Sequence, residues 1–445
     1  MLLDGFAAAG ACTTRTIEPM TTPLTRAGLD PTAVRDHFPA LRRTLDGQPI
    51  AFLDGPGGTQ VPSACIDAMA AYLRASNANH GGAFRTSEET DALLHDVHAA
   101  AADFVGAERP EEIAFGPNMT TLTFALSRAI GREVGAGDEV VVTRLDHDAN
   151  VAPWLAMAED RGATVRWIDI DPATCALDLS TLEELVGERT RLVAVGLASN
   201  AVGTLNDVRR IAAAAHAHGA IVFVDAVHAA PHLPVDVAEL GADLLACSPY
   251  KFFGPHLGML WGRAELLERL VAYRVRPAGA AIPGKWETGT QSHEALAGLL
   301  GTFEYLAALG RAYGGASAAD ERRTTLRAAM TAIRDYERGL IGPLLDGLAS
   351  VPGCRVYGLT DPADHDRRVP TVAFTLAGRH PRAVAAALGA RGIQVWDGDY
   401  YAVELIERLG LAASGGMVRA GLVHYNTLEE VDRLVAAVAE LARPG

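Results

Sequence analysis

Short apolar runs alternate with longer amphipathic stretches through the middle of the chain. The runs are Glu112–Phe115, Glu139–Thr143, Thr164–Asp169, Leu192–Val195 and Ala220–Asp225. Their Val and Ile content, with little in/out alternation, predicts strands buried on both faces. Between them, Asn150–Arg161, Ser180–Val186 and Asp207–His218 carry Ala, Leu and Arg at helical spacing. This alternation predicts βαβ units and a mainly parallel sheet, expected at 60–310. The pattern then changes. Gly315–Ala349 predicts one long helix, Arg355–Tyr357, Thr371–Phe374 and Ile393–Trp396 predict strands, and His380–Ala390 and Leu428–Ala442 predict helices. A smaller α+β domain is expected at 311–445, with 25–59 packed against it. Residues 1–24, rich in Thr, Ala and Gly, predict a disordered lead-in in which Met20 offers a second start.

Charge and cysteine usage narrow the class. A net charge of −15 argues against nucleic acid and anionic membrane as partners. No apolar run approaches the roughly 18 residues of a membrane helix. The acidic start Met1-Leu2-Leu3-Asp4 lacks the basic region of a signal peptide. Five scattered cysteines, with no Cys-x-x-Cys pair, suit reduced cytoplasmic thiols and predict no metal site.

The chain has 39 Lys and Arg residues, of which only Lys251 and Lys285 are lysine. A lysine offers a primary amine that condenses with a carbonyl, which Arg cannot do. Asp225 ends an apolar strand, and Lys251 follows one helix and one strand later, so both can meet at the carboxyl edge of the sheet. An amine for a Schiff base and a carboxylate facing a pyridine nitrogen are the pair that pyridoxal 5'-phosphate requires. Gly116-Pro117-Asn118-Met119-Thr120-Thr121 follows a short strand and opens a helix, a place suited to a phosphate. His147 and Asn200 each follow a strand; they suit ring stacking and hydrogen bonding to a phenolic oxygen.

The order of these groups brings further segments into register. They are Phe52–Gly58, Asn77–Gly82, Asp146–Asn150, Ser199-Asn200, Val224–His228, Ser248–Pro255 and Arg419–Thr427. Across residues 30–443 the chain resembles the class V aminotransferase family of fold-type I pyridoxal phosphate enzymes, most closely its cysteine desulfurase-like branch. The resemblance implies a large, mainly parallel sheet of the seven-stranded type and a smaller α+β domain. It implies that Lys251 holds the Schiff base and later takes the Cα proton of an L-α-amino acid. Asp225 faces the pyridine nitrogen, His147 stacks on the ring, and Asn200 touches the phenolic oxygen. Met119, Thr120, Ser248 and Tyr250 are expected around the phosphate, and His228 beside the cofactor. Thr290 is expected to reach the neighbouring site of a homodimer. Arg419 is expected to clamp the substrate carboxylate, with Asn200, Trp396 and Asp399 near the substrate.

Departures from the family pattern decide the expected reaction. Tyr401 stands where a desulfurase places its sulfur-accepting cysteine, and a phenol forms no persulfide. His228 stands for a frequent Gln, Tyr250 for a frequent His, and Trp396 for an Arg. The leading expectation is a C–S lyase or β-elimination reaction in specialised metabolism, with Tyr400 or Tyr401 protonating the leaving group. A transaminase, or an epimerase resembling the isopenicillin N type with Tyr400, Tyr401 or His147 as its second acid, is the second expectation. A non-catalytic binder of the cofactor is the third.

Overall fold

The computed structural model describes residues 28–443; the lead-in expected at 1–24 lies outside the described residues. Seven strands form the main sheet: β1 Ile113–Gly116, β2 Glu139–Thr143, β3 Thr164–Ile168, β4 Thr190–Gly196, β5 Ile221–Asp225, β6 Leu244–Cys247 and β7 Gly258–Gly262. Their order is β1-β7-β6-β5-β4-β2-β3. Only β7 runs antiparallel to its neighbours.

The run of β-branched residues explains this sheet. Successive side chains point to opposite faces. Val141, Val193, Val222 and Val224 enter one core with Phe104, Phe252 and Phe303. Val140, Val142, Ala194 and Phe223 enter the other with Leu126 and Trp154. Both faces are covered, so the strand ends remain as the place for polar chemistry. Helix α1, Met119–Ile130, starts directly over β7. A Cβ on Gly258 would lie 2.4 Å from the carbonyl carbon of Asn118, so glycine there lets the strand pass under the helix start.

Helix α2, His293–Tyr313, leads into α3, Arg322–Ala349. The long helix expected from Gly315 therefore begins seven residues late. Gly315 sits at φ +78°, and the Ser317 N–H is capped by Asp320, so the chain turns before it winds. The second sheet is antiparallel: β8 Cys354–Tyr357, β9 Thr371–Leu376, β10 Trp396–Gly398 and β11 Met417–Gly421, in the order β8-β9-β11-β10. The single strand expected at Ile393–Trp396 is two pieces. Ile393-Gln394 pairs with Ala51-Phe52, while Trp396 begins β10 against β11. Ala51 and Leu53 are buried in the core of this smaller sheet, together with Val431 and Leu434 of α4, Leu428–Ala442. No helix among the described residues is long and apolar enough to cross a membrane.

Candidate active site

The carboxyl ends of β2, β4, β5 and β6, the start of α1 and the loop after β10 enclose a cavity of about 440 Å³. Every residue expected at the site lines it except Thr290. Thr290 is exposed, on a segment anchored by Glu287, whose carboxylate accepts from His98 Nε2 and the Phe115 N–H, both at 2.8 Å.

Lys251 closes a short 3-10 turn after β6. Its amine donates to the Pro56 carbonyl and lies 4.7 Å from the centre of the Tyr250 ring. Burial, aided by the Arg419 charge, lowers its pKa to about 7, against the pull of Asp225 and Asp54. At neutral pH a large share of this amine is therefore free to act as a nucleophile or base. Asp225 accepts from the Val227 N–H at 2.8 Å, and burial raises its pKa to about 6. A cation brought beside it favours the ionised form.

His147 accepts the Ala149 N–H at Nδ1, 3.0 Å, which puts the ring proton on Nε2. Burial, then the charges of Lys251 and Arg419, lower its pKa to about 4, so the ring is neutral. It stacks on Tyr401 at 5.3 Å between centroids with planes 21° apart, so one of its faces is already covered. Asn200 donates from Nδ2 to the Tyr400 carbonyl at 2.9 Å, and its Oδ1 is buried without a partner. His228 lines the cavity while its Nε2 bonds Thr371 Oγ1 at 3.0 Å. Arg419, on β11, donates to the Asn200 carbonyl at 2.7 Å and lies 4.4 Å over the Tyr400 ring. Its Nε and the Tyr400 hydroxyl are buried without partners. Tyr250 stacks on His256 at 4.8 Å. Trp396 lies against Gly57; a Cβ there would come within 2.0 Å of the indole nitrogen.

Two acids were not singled out from the sequence. Asp146 accepts from Asn150 Nδ2 and from the Gly196 N–H, both at 2.9 Å. Burial and the nearby Asp225 raise its pKa to about 8. Its signal was the Asp146–Asn150 spacing, four residues across the turn that leads into the short helix Asp148–Asn150. Asp54, raised to about 6 by burial, stands before the Pro56 carbonyl that holds Lys251.

A buried amine, a carboxylate at a strand end, hydroxyls at a helix start and a buried guanidinium with an unpartnered nitrogen, on this sheet order, define a fold-type I pyridoxal phosphate enzyme. A model of the family "aminotransferase class-V" matches residues 51–434, and the chain belongs to that family. A cysteine desulfurase of Klebsiella pneumoniae (strain 342) is 34% identical over 423 residues, covering 92% of this chain and 97% of its own. A probable cysteine desulfurase of Mycolicibacterium paratuberculosis is 32% identical over 430 residues, or 94% of this chain; the chain spans 59% of that longer protein. The apo cysteine desulfurase of Thermococcus onnurineus NA1 superposes with a TM-score of 0.82 at 27% identity, covering 94% of this chain and 99% of its own.

The cofactor is pyridoxal 5'-phosphate, and the residues present fit it. Thr120 and Ser248 offer hydroxyls beside the N-terminus of the 12-residue α1, which suits a phosphate. Asp225 and Lys251, a carboxylate and an amine of the kind the cofactor ring requires, line the same cavity. The orphaned Oδ1 of Asn200 and Nε of Arg419 need a ligand to satisfy them.

Proposed function

We propose that this chain is a lyase that expels a sulfur-linked β-substituent from an L-α-amino acid, with no protein-bound persulfide. The observation that carries the reading is Tyr401 on the cavity wall, at the position where the family resemblance expects a desulfurase's cysteine. Among the described residues no cysteine lines the cavity. Cys247, at the end of β6, is fully buried with its thiol pushed far up by burial, the wrong state for a nucleophile.

Bound pyridoxal 5'-phosphate supplies an electron sink that makes the substrate Cα–H acidic. Lys251 takes that proton, a task its lowered pKa suits. Arg419 holds the α-carboxylate; its buried fork, with one hydrogen bond committed to Asn200, has donors to spare. Asp225 keeps a positive charge at the ring nitrogen. Tyr401 gives its proton to the departing sulfur as the Cβ–S bond breaks and a Cα=Cβ bond forms. Water then releases ammonia and a 2-oxo acid. Tyr400 keeps its proton, since burial raises its pKa strongly, and acts as a hydrogen-bond donor.

The chain works as a homodimer in this reading, with Thr290 at the neighbouring site. Ile66, Leu73, Phe84, Val271, Tyr273 and Val275 are large apolar side chains left exposed, available to a second copy. The unpaired Cys65, Cys175, Cys247 and Cys354 support a reducing, cytoplasmic setting.

The test is to incubate the holoenzyme with S-alkyl-L-cysteines in deuterated water. Thiol, ammonia and 2-oxo acid in equal amounts are expected, with no sulfur label on the protein after alkylation and mass spectrometry. Formation of pyridoxamine phosphate would assign transamination instead. Cα deuteration with loss of chirality would assign epimerisation, and no turnover of any amino acid would leave a cofactor-binding protein.

A further inference from the structure

Arg419 and Trp396 are directly opposite each other in the register between β11 and β10. Opposed residues in an antiparallel pair point to the same face with Cβ atoms about 4.5–5.5 Å apart. The indole of Trp396 therefore stands beside any substrate whose carboxylate is held at Arg419, on the wall of the same cavity. The next polar groups along that wall are acidic. Asp397 already pairs with Arg382 at 3.1 Å. Asp399 has no ion-pair partner among the described residues; its Oδ1 accepts only the Tyr401 N–H, at 2.9 Å. Asp148 lies near enough for Asp399 to raise its pKa after burial, and it too lacks a cationic partner among the described residues. The inner cations, Lys251 and Arg419, are committed to the amino and carboxyl ends of the substrate. In the same cavity the Tyr400 hydroxyl, 8% exposed as a residue, is buried without a partner. An aromatic surface beside uncompensated carboxylates attracts a cation and repels an anion.

We propose that the substrate's β-substituent carries a positive charge at its far end, seated between the indole of Trp396 and the carboxylate of Asp399. The inference rests on the lyase reading and names the class of thiol that leaves: a cationic one, amine or quaternary ammonium. Trp396 and Asp399 are then specificity-determining residues. They choose the leaving group, while Lys251 takes the Cα proton.

Three ligands test it on the holoenzyme: the isosteric pair S-(2-aminoethyl)-L-cysteine and S-propyl-L-cysteine, and the anionic S-(2-carboxyethyl)-L-cysteine. Dissociation constants come from the change in cofactor absorbance on binding, measured separately from turnover. The cationic ligand is expected to bind about tenfold tighter than the propyl one, the product of a half-exposed ion pair and a cation–aromatic contact. The anionic ligand is expected to bind weakest. Asp399→Asn should remove most of the preference for the cationic over the propyl ligand, since the charge that attracts the cation is gone. Equal or tighter binding of the propyl ligand overturns the inference and leaves the lyase reading standing. So does an Asp399→Asn variant with unchanged selectivity whose cofactor spectrum matches the parent's. Absence of any absorbance change with all three ligands overturns the amino-acid reading itself, and this inference with it.

Discussion

The floor of the cavity and its outer wall are built differently. The floor groups, Asp225, Ser248 and Lys251, sit at or just past the ends of β5 and β6, in the middle of a sheet packed on both faces. The wall, Gly398–Ala402, is a loop in which Tyr400 and Tyr401 both adopt left-handed backbone, φ +56° and +59°. Such backbone costs a non-glycine residue about 1–2 kcal/mol, so something must hold it. The bonds come from the floor side: the Asp148 N–H donates to the Tyr401 carbonyl at 2.7 Å, and Asn200 to the Tyr400 carbonyl at 2.9 Å. The wall is thus pinned to the loops that carry His147 and Asn200. Under the lyase reading proposed above, a rigid floor with a separately folded, strained wall separates the first proton transfer from the choice of the bond that breaks next.

The most severe way to break this comparison is at the floor. Lys251→Ala should lower elimination by about 10³-fold or more, the range for loss of a positioned base. It should also abolish the borohydride-trapped cofactor mass on the chain. A variant that still traps cofactor would move the amine elsewhere and dissolve the distinction between floor and wall. A smaller change tests the wall alone. Tyr401→Phe keeps the ring on His147 and removes only the hydroxyl, so cofactor trapping should equal the parent's. Elimination kcat should fall by about 10²-fold, the lower range for a lost general acid. An unchanged kcat would take the proton donor away from the wall.

The floor was legible in the sequence because each of its groups ends or follows a short apolar run, and the sheet order is what such runs dictate. Strand β7 was not legible: Gly-Met-Leu-Trp-Gly has glycine at both ends, and its two antiparallel pairings are set by β6 and β1. Strand β11 was hidden by Arg419 at its centre, where a buried charge interrupts the apolar pattern. The break between Gln394 and Trp396 depends on pairing with Ala51-Phe52, more than 300 residues away in sequence, which no local period records. At the site, the residue types were readable but their present partners were not. His147 has one face on Tyr401 and His228 holds Thr371, while both line the cavity where the cofactor was expected. Those contacts belong to the wall and to β9, whose placement is tertiary.

The smallest expected effect on turnover, and the finest test of the floor, is Asp146→Asn. In the folded chain this carboxyl titrates at about 8, against an ordinary value of 3.8. Between those values the native state holds a proton that the unfolded chain has released. Stability therefore falls as pH rises through the window, because the native state binds more protons there. Asparagine cannot titrate, so the variant should lose this part of the slope. It exchanges one acceptor for a donor toward Asn150 or Gly196, a cost of about 1 kcal/mol, so it should be the less stable chain near pH 5. The two stabilities should approach and cross as pH rises toward 8. Urea unfolding of the apo protein at pH 5, 6, 7 and 8 measures that difference directly. Parallel curves would mean that Asp146 is ionised throughout, held by its two donors against burial. The floor would then carry a fixed negative charge beside Asp225 rather than a neutral acid.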